Sequence, residues 1–234
     1  IKNRTSINLI TIVIKIDVIF MTNRHETNLA VTEDTLKKKR GRPKCFDEQE
    51  VLQKAMLLFW EHGYEATSIS DLTHALEITA PSLYSAFGDK EGLFYRSVDY
   101  YLAHEGCPID TIFVEAKTAK IAVELYLYDI VKRLVQPNKP AGCMVVVAAM
   151  NCSDATQDVQ QNLLDKRIKT KEKLLKRLQQ GVEQGDLSSH APLQEMTDFY
   201  TTVIQGLTIQ ARDGASSEQL HKVVGHAVKA WTLF

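Results

Sequence analysis

Apolar residues recur along most of this chain at intervals of three and four positions, the spacing of a helix with one buried face. The pattern starts at Val51 and continues through Ala55, Leu58 and Phe59. No alternation typical of strands is sustained over several segments. Proline and glycine, which divide strand-rich chains into short pieces, number only 6 and 11 among 234 residues. The sequence therefore predicts an all-α protein.

Side chains that can accept hydrogen bonds from a first helical turn divide residues 46–104 into four predicted helices. Glu50 follows Asp47 at the spacing of a capping box, and Phe46 is placed to pack on Val51 as a hydrophobic staple. The predicted N-caps are Asp47, Ser68, Thr79 and Asp89. The predicted helices run from Asp47 to Gly63, Ile69 to Leu76, Thr79 to Gly88 and Asp89 to about His104.

The rest of the chain keeps the helical spacing between breaks that contain proline or glycine. A break at residues 137–140 separates two apolar segments, and Gly185 ends a long amphipathic one. We therefore predict five more helices, at Thr118–Val135, Cys143–Cys152, Asp158–Gln184, Leu193–Ala211 and Ser217–Trp231.

The N-terminal residues do not share this pattern. The apolar run within residues 1–20 is interrupted by Lys15 and Asp17 and is shorter than the roughly 20 apolar residues that a membrane span needs. We expect Met21 to be the physiological start of the protein. The predicted segments are a disordered or non-native tail at 1–36, a basic arm at 37–45, a first helical domain at 46–92 and a second at 93–234.

Charge is distributed unevenly between these segments. The net charge is −1, so attraction to a polyanion must come from local charge. Six of the eight residues from Lys37 to Lys44 are cationic, whereas residues 45–90 contain eight acidic and two basic side chains. Such an arm repels itself unless a polyanion binds it, which favours a nucleic-acid partner and an arm inserted in a minor groove. The predicted DNA contacts of the arm are Lys39, Arg40, Arg42 and Lys44.

The second and third predicted helices are short and are separated by only a few residues. Neither can bury its apolar face alone, so both need the first and fourth helices as partners. This arrangement is that of a helix-turn-helix, whose second helix enters the major groove of DNA. A small helical bundle that binds no DNA is the alternative, and the basic arm argues against it.

A resemblance to a known family supports the same conclusion. Residues 57–69 read LLFWEHGYEATSI, and residues 80–94 read APSLYSAFGDKEGLF. In this order the two segments resemble the DNA-binding domain of the tetracycline-repressor (TetR) family of transcriptional regulators. The resemblance covers about 50 residues. It implies a helix-turn-helix at 46–92 and a ligand-binding and dimerisation domain at 93–234.

The resemblance also implies roles for individual residues. Side chains at helix N-termini and hydroxyl groups would contact backbone phosphate, since helix N-termini attract anions. The implied phosphate contacts are Thr67, Ser68, Tyr84 and Lys90, and the residues implied to face base edges are Thr79, Ala80, Pro81 and Ser82. Glu77 stands where family members usually carry glycine, so the turn must tolerate a tight or left-handed residue and a carboxylate near DNA.

The C-terminal half resembles the family more weakly, through GCMVV at 142–146, GDL at 185–187 and QGL at 205–207. This implies a homodimer formed by the last two helices, an inverted-repeat operator and a small-molecule effector that releases a repressor from DNA. The four cysteines without a CxxC pair make a reducing cytoplasm the expected location. Ordinary core packing is the alternative for each residue of the candidate effector pocket. The pocket residues are Tyr100, Tyr101, Phe113, Tyr126, Met144, Met150 and Tyr200.

Other functions have weaker support in the sequence. No motif of a hydrolase, P-loop or dinucleotide-binding enzyme is present, so we expect neither an enzyme nor a cofactor. A structural helical adaptor is a second alternative, and the basic arm again argues against it. Four cysteines without a CxxC pair and seven histidines without an HxxxH pattern do not indicate a metal site. Sensing of oxidants or metal by Cys107, Cys143 or Cys152 remains an open alternative to simple burial of these thiols.

Overall fold

The computed structural model describes residues 46–150 and 152–234, and all regular secondary structure in these ranges is helical. The predicted all-α class is therefore confirmed. The predictions for the tail and the basic arm, including DNA contacts at Lys39, Arg40, Arg42 and Lys44, lie outside the described residues.

The first four helices follow the capping residues read from the sequence. Their bounds are α1 Glu48–His62, α2 Ile69–Leu76, α3 Ala80–Phe87 and α4 Lys90–His104. Asp47, Ser68, Thr79 and Asp89 each accept a hydrogen bond from the backbone of the following first turn.

The start of the first helix differs from the prediction in its cap and has one contact that was not predicted. The Asp47 side chain accepts from the Gln49 amide at 2.8 Å, and the capping box expected with Glu50 does not form. Phe46 stacks on Phe87 at 6.4 Å between ring centroids, which anchors the start of α1 to α3. Phe46 is also packed against the buried cluster that contains Val51, its predicted partner.

Apolar residues of α1 and α4 form the centre of this four-helix unit. The Phe94 ring lies edge-on to the rings of Phe59 and Tyr64, with centroids 5.0 Å apart in both pairs. Leu72 from α2 and Leu83 from α3 are fully buried in the same core. The two short helices are thus held by residues at their i, i+3 and i+4 positions, as an amphipathic pattern requires.

The remaining helices form the rest of the described chain. Their bounds are α5 Ile109–Glu115, α6 Ala119–Leu134, α7 Met144–Val147, α8 Gln157–Glu183, α9 Leu193–Arg212 and α10 Ser217–Lys229. Short 3₁₀ turns at Asp154–Thr156 and Ala230–Leu233 precede α8 and follow α10. Helix α6 packs against α5, α8, α9 and α10, so it is the central helix of this part.

Two helix predictions for this part were incomplete. The helix predicted at Cys143–Cys152 is wrong beyond its first turn, since α7 has four residues. The Ala148 carbonyl accepts a hydrogen bond from the Tyr64 amide at 2.7 Å. In a longer helix this carbonyl would instead accept from the amide four residues later. Helix α5 was missed because it is short and begins after Pro108 without a side-chain cap.

Candidate DNA-binding site

A reciprocal capping box fixes the start of α2. The Asp71 amide donates to the Ser68 hydroxyl oxygen at 3.1 Å, and the Ser68 amide donates to the Asp71 carboxylate at 2.9 Å. The Ser68 hydroxyl also donates to the Asp71 carboxylate at 2.6 Å, and this bond, with the one from the Ser68 amide, lowers the pKa of the Asp71 carboxyl. The box therefore holds Ser68 at the exposed N-terminus of α2, where the prediction placed a phosphate contact.

The turn between α2 and α3 is left-handed at Glu77. Its φ and ψ are 55° and 36°. The Glu77 amide donates to the His74 carbonyl at 3.4 Å, and the Ile78 amide donates to the Thr73 carbonyl at 3.3 Å. This is the pattern of a Schellman motif, in which glycine is the usual left-handed residue. The chain thus keeps the turn geometry at the cost of a strained non-glycine residue.

Helix α3 buries one side and exposes the other. Leu83 and Phe87 lie in the core, whereas Thr79 and Pro81 are exposed at the N-terminus of the helix. The Thr79 hydroxyl lies 2.9 Å from the Ser82 hydroxyl and caps the Ser82 amide at 3.4 Å. Ala80 and Ser82 are half-buried beside them. The four residues predicted to face base edges therefore form one small surface on the first turn of α3.

Tyr84 and Lys90 flank this surface. The Tyr84 side chain is 46% exposed, so its hydroxyl is accessible to a ligand. Lys90 begins α4 and places its Nζ 4.2 Å from the centroid of the Tyr64 ring. Partial burial lowers the pKa of the Lys90 ammonium, and the Glu65 carboxylate opposes that shift.

Thr67 occupies a different environment from the other predicted phosphate contacts. Its side chain is 1% exposed, and its hydroxyl donates to the Gly63 carbonyl at 2.7 Å. Its amide donates to the Tyr64 carbonyl at 3.3 Å. Both hydrogen-bond donors of Thr67 are therefore used within the turn between α1 and α2, where the residue positions α2.

The acidic side chains of this unit are mostly engaged in its own folding. Asp47, Asp71 and Asp89 cap helices, and Glu50 forms an ion pair with Lys54 at 2.9 Å. The Glu65 carboxylate accepts hydrogen bonds from Ser153 and Thr156, which lie just before α8. Much of the negative charge of residues 46–90 thus serves caps and tertiary links.

Three hydrogen-bonded links join the end of α1 to the later helices. The Arg212 guanidinium, at the end of α9, donates to the carbonyls of Trp60 at 3.1 Å and of Glu61. The Trp60 indole donates to the Gly142 carbonyl at 3.1 Å. The Tyr64 amide reaches the Ala148 carbonyl, as described above. These hydrogen bonds connect the end of α1 to α9 and to the segment around α7.

The residues predicted to line an effector pocket fall into two groups. Phe113 and Tyr126 are buried edge-to-face with centroids 5.4 Å apart, and Tyr101 and Met144 are buried close to Cys143. These four lie in the interior near α4, α5, α6 and α7.

The other three predicted pocket residues lie elsewhere. Tyr100 is half-buried and stacks on His104 at 4.0 Å, and Met150 is 55% exposed. Tyr200 is buried with Phe199 and Trp231, between α9 and the C-terminal residues. The structure therefore does not bring the seven residues together in a single cluster.

A buried polar cluster was missed by sequence reasoning. Asp129 pairs with Arg133 at 2.6 Å on the inner side of α6, and Arg133 also donates to the Glu105 carbonyl at 3.2 Å. Burial raises the pKa of the neighbouring Cys107 thiol, and the Asp129 carboxylate adds to that rise. The i, i+4 spacing of Asp129 and Arg133 was the available signal, although such pairs usually face solvent.

The exposed first turn of α3, held by α2 and the core of α1 and α4, defines a DNA-binding transcriptional regulator of the helix-turn-helix class. The family model for bacterial regulatory proteins of the tetR family matches residues 51–96. The HTH-type transcriptional repressor ComR of Escherichia coli (strain K12) is 36% identical over 197 residues, which cover 84% of this chain and 94% of that protein. This chain belongs to the TetR family.

Two further comparisons agree with this assignment. The HTH-type transcriptional repressor BdcR of Escherichia coli (strain K12) is 31% identical over 192 residues, covering 81% of this chain and 92% of the relative. A solved structure of a cysteine mutant of the TetR family transcriptional regulator CifR, complexed with 26-bp double-strand operator DNA, is 38% identical with a TM-score of 0.79. That match covers 81% of this chain and 100% of the CifR chain.

Proposed function

We propose that this protein is a homodimeric repressor that binds an inverted-repeat operator and releases it when a small molecule binds the second domain. The observation that carries the proposal is the small exposed surface at the start of α3, held by a capped α2 and a Schellman turn. The operator-bound CifR structure and the relatives named as repressors support it.

The DNA contacts we propose follow from exposure and chemistry. Thr79, Ala80, Pro81 and Ser82 would face base edges from the first turn of α3. None of these side chains can form a bidentate hydrogen bond with a base, so we expect selectivity to depend strongly on the arm and on DNA shape. Ser68, Tyr84 and Lys90 would contact phosphate and set the position of the duplex. The basic arm at 37–45 would enter the adjacent minor groove.

Dimerisation through α9 and α10 is supported by their exposed apolar side chains. Ile209 is 37% exposed and Val223 is 40% exposed. Each lies on a helix whose other side is buried, so a second copy could cover both in a four-helix bundle. Two-fold symmetry of the protein would then be matched by an inverted repeat in the DNA.

Control by a ligand requires a physical link between the two predicted domains, 46–92 and 93–234. Arg212 provides one because it joins the end of the dimerisation helix α9 to the end of α1. A ligand that shifts α9 would move α1, and with it the spacing of the two α3 helices. Thermodynamic linkage requires that operator DNA weaken ligand binding by the same factor. We place this regulator in the cytoplasm, where it would meet DNA. In the described part of the chain, no helix has both the length and the apolar character that a membrane span needs.

A mobility-shift titration tests the proposal. The full chain is expected to retard selected genomic fragments in a band that resists added salt. The Tyr84→Phe variant loses only a hydroxyl and is expected to bind about 2- to 10-fold more weakly per protomer, the value of one hydrogen bond. Tyr100→Phe is the matched control, because Tyr100 stacks on His104 away from α3. A wild-type protein that binds all fragments equally and loses them in moderate salt would contradict the proposal.

A further inference from the structure

Arg177 is a buried arginine whose hydrogen-bonding capacity is largely unused. It lies on α8 with a relative exposure of 3%. Its Nη2 donates to the Ala116 carbonyl at 3.2 Å. Its Nε and Nη1 are buried and have no hydrogen-bond partner in the described part of the chain. Most of the N–H donors of this guanidinium are therefore unsatisfied.

Two other partly buried arginines have more partners than Arg177, whereas Arg167, which is less deeply buried, donates to one carbonyl, that of Val145 at 2.8 Å. Arg133 has the Asp129 carboxylate and the Glu105 carbonyl. Arg212 donates to three carbonyls around the end of α1. A buried guanidinium that meets only one neutral carbonyl is unfavourable, because its charge has lost water without gaining an anion. Such a group is expected where an anionic partner arrives from outside the chain.

The position of Arg177 is fixed by the helices around it. Gly181, one turn later on α8, packs tightly on the start of α6, where an added Cβ would lie 2.6 Å from the Ala119 Cβ. Lys173, one turn earlier, pairs with Asp110 of α5 at 2.6 Å. Arg177 thus lies next to the corner formed by the loop between α5 and α6, and its guanidinium contacts Ala116 in that loop.

Two carboxylates of this region already have partners. Asp110 is paired with Lys173, and both oxygens of Asp186 accept the Ala119 amide, at 3.0 and 3.2 Å. The helix that ends at Ala116 also carries apolar residues, since Phe113 precedes Ala116 by about one helical turn and packs on Tyr126. An anion that pairs with Arg177 would therefore have its remainder against apolar side chains.

We propose that Arg177 anchors the effector of this protein and that the effector is an organic acid, with a carboxylate that pairs with the guanidinium and an apolar body that packs near Phe113 and Tyr126. Carboxylate matches the planar guanidinium better than a spherical anion does, because it accepts two parallel N–H bonds. This proposal rests on the proposed function, to which it adds the chemical class of the ligand.

The first test needs no ligand. Arg177→Met keeps the side-chain length and removes the buried charge, so the melting temperature of the full chain is expected to stay the same or to rise. Arg133→Met is the matched control, and its melting temperature is expected to fall because Asp129 is left buried without its partner. A fall of several degrees in Arg177→Met, comparable with that of Arg133→Met, would show that Arg177 is structural and would overturn the proposal.

The second test uses octanoate as the probe and 1-octanol as its uncharged match. At ten times its dissociation constant, octanoate is expected to raise the wild-type melting temperature by about 3 °C, and 1-octanol by less. Arg177→Met is expected to lose the difference, and Arg177→Lys to keep part of it. Equal responses of wild type and Arg177→Met, or no response of either, would overturn the proposal. Without added ligand, the wild type and Arg177→Met are expected to retard the same DNA fragments. A wild type that fails to bind DNA would therefore count against the proposed function and not against the role of Arg177.

Discussion

The left-handed backbone conformation of Glu77 predicts how much the stability of the protein changes when this residue is replaced by glycine. With φ of 55° and ψ of 36°, a non-glycine residue there costs about 1–2 kcal/mol. Glycine removes this strain but adds about 0.5–1 kcal/mol of entropy loss on folding. Glu77→Gly is therefore expected to stabilise the protein by about 0.5–1 kcal/mol. For a chain of this size that corresponds to a rise of roughly 1–4 °C in the melting temperature.

The same substitution removes a carboxylate at the turn that precedes the DNA-facing helix. A unit charge about 10 Å from phosphate contributes a few tenths of a kcal/mol after screening. Summed over several phosphates and two protomers, its removal is expected to tighten operator binding by about 2- to 5-fold at low salt. Glu77→Gln separates the two effects, because it removes the charge and keeps the side chain in the left-handed conformation.

Thermal denaturation and salt-dependent operator titrations of the variants check this reasoning. Glu77→Gly is expected to gain both stability and affinity, and Glu77→Gln affinity alone. Asn138→Gly is the matched control, because Asn138 has φ of 64° but is a residue that tolerates this region, so its stability should change by less than about 0.5 kcal/mol. Equal stabilisation by Gln and Gly at position 77 would refute the strain argument. Unchanged affinity in both would show that the carboxylate lies far from DNA.

Three further predictions concern the links and the arm. Arg212→Met is expected to destabilise the protein by about 1–3 kcal/mol and to speed hydrogen exchange of the Gly63 and Tyr64 amides. Arg212→Lys is expected to be intermediate in both measurements. Unchanged exchange would rule out the proposed link to α1. Hydrogen bonds from Ser153 and Thr156 lower the pKa of the Glu65 carboxyl, so the stability it adds is present above its ordinary value of 4.5 and is lost as pH falls below it. Glu65→Gln should therefore lose less stability than wild type between pH 5 and about pH 3 in denaturant titrations, and parallel curves would contradict this. If the arm neutralises about three phosphates per protomer, deletion of residues 37–44 should reduce the magnitude of the slope of log K for operator binding against log salt by roughly 5 for a dimer. An unchanged slope would show that the arm does not touch DNA.

The sequence predicted the helix boundaries well wherever a side chain caps the helix. Asp47, Ser68, Thr79 and Asp89 mark the starts of α1 to α4 because each has an oxygen placed for the first-turn amides. The same logic failed where no such residue exists, as at Pro108 before α5. It also failed at α7, because the bond from Tyr64 to Ala148 depends on tertiary packing.

The candidate sites were predictable to different degrees. The surface on the first turn of α3 was predictable, because the Thr79 cap sets where the helix begins and the spacing of Leu83 and Phe87 sets which side is buried. The phosphate contact at Thr67 stays a prediction, and the sequence alone does not show that both donors of this residue are used internally. The pocket residues were chosen for their aromatic and thioether side chains, which does not tell the buried Tyr126 from the exposed Met150. The sequence does not distinguish Arg177 from an exposed arginine, because its burial depends on how α8 packs against the loop between α5 and α6.

The central claim is that two copies of this chain read DNA through the first turn of α3. Selection of bound duplexes from random-sequence DNA by the full chain, followed by the mass of the complex with the enriched duplex, tests it most directly. We expect an enriched inverted repeat whose half-sites lie about one helical turn apart, and a complex with paired protomers. Enrichment of no sequence, or a single half-site bound with full affinity by one protomer, would contradict it.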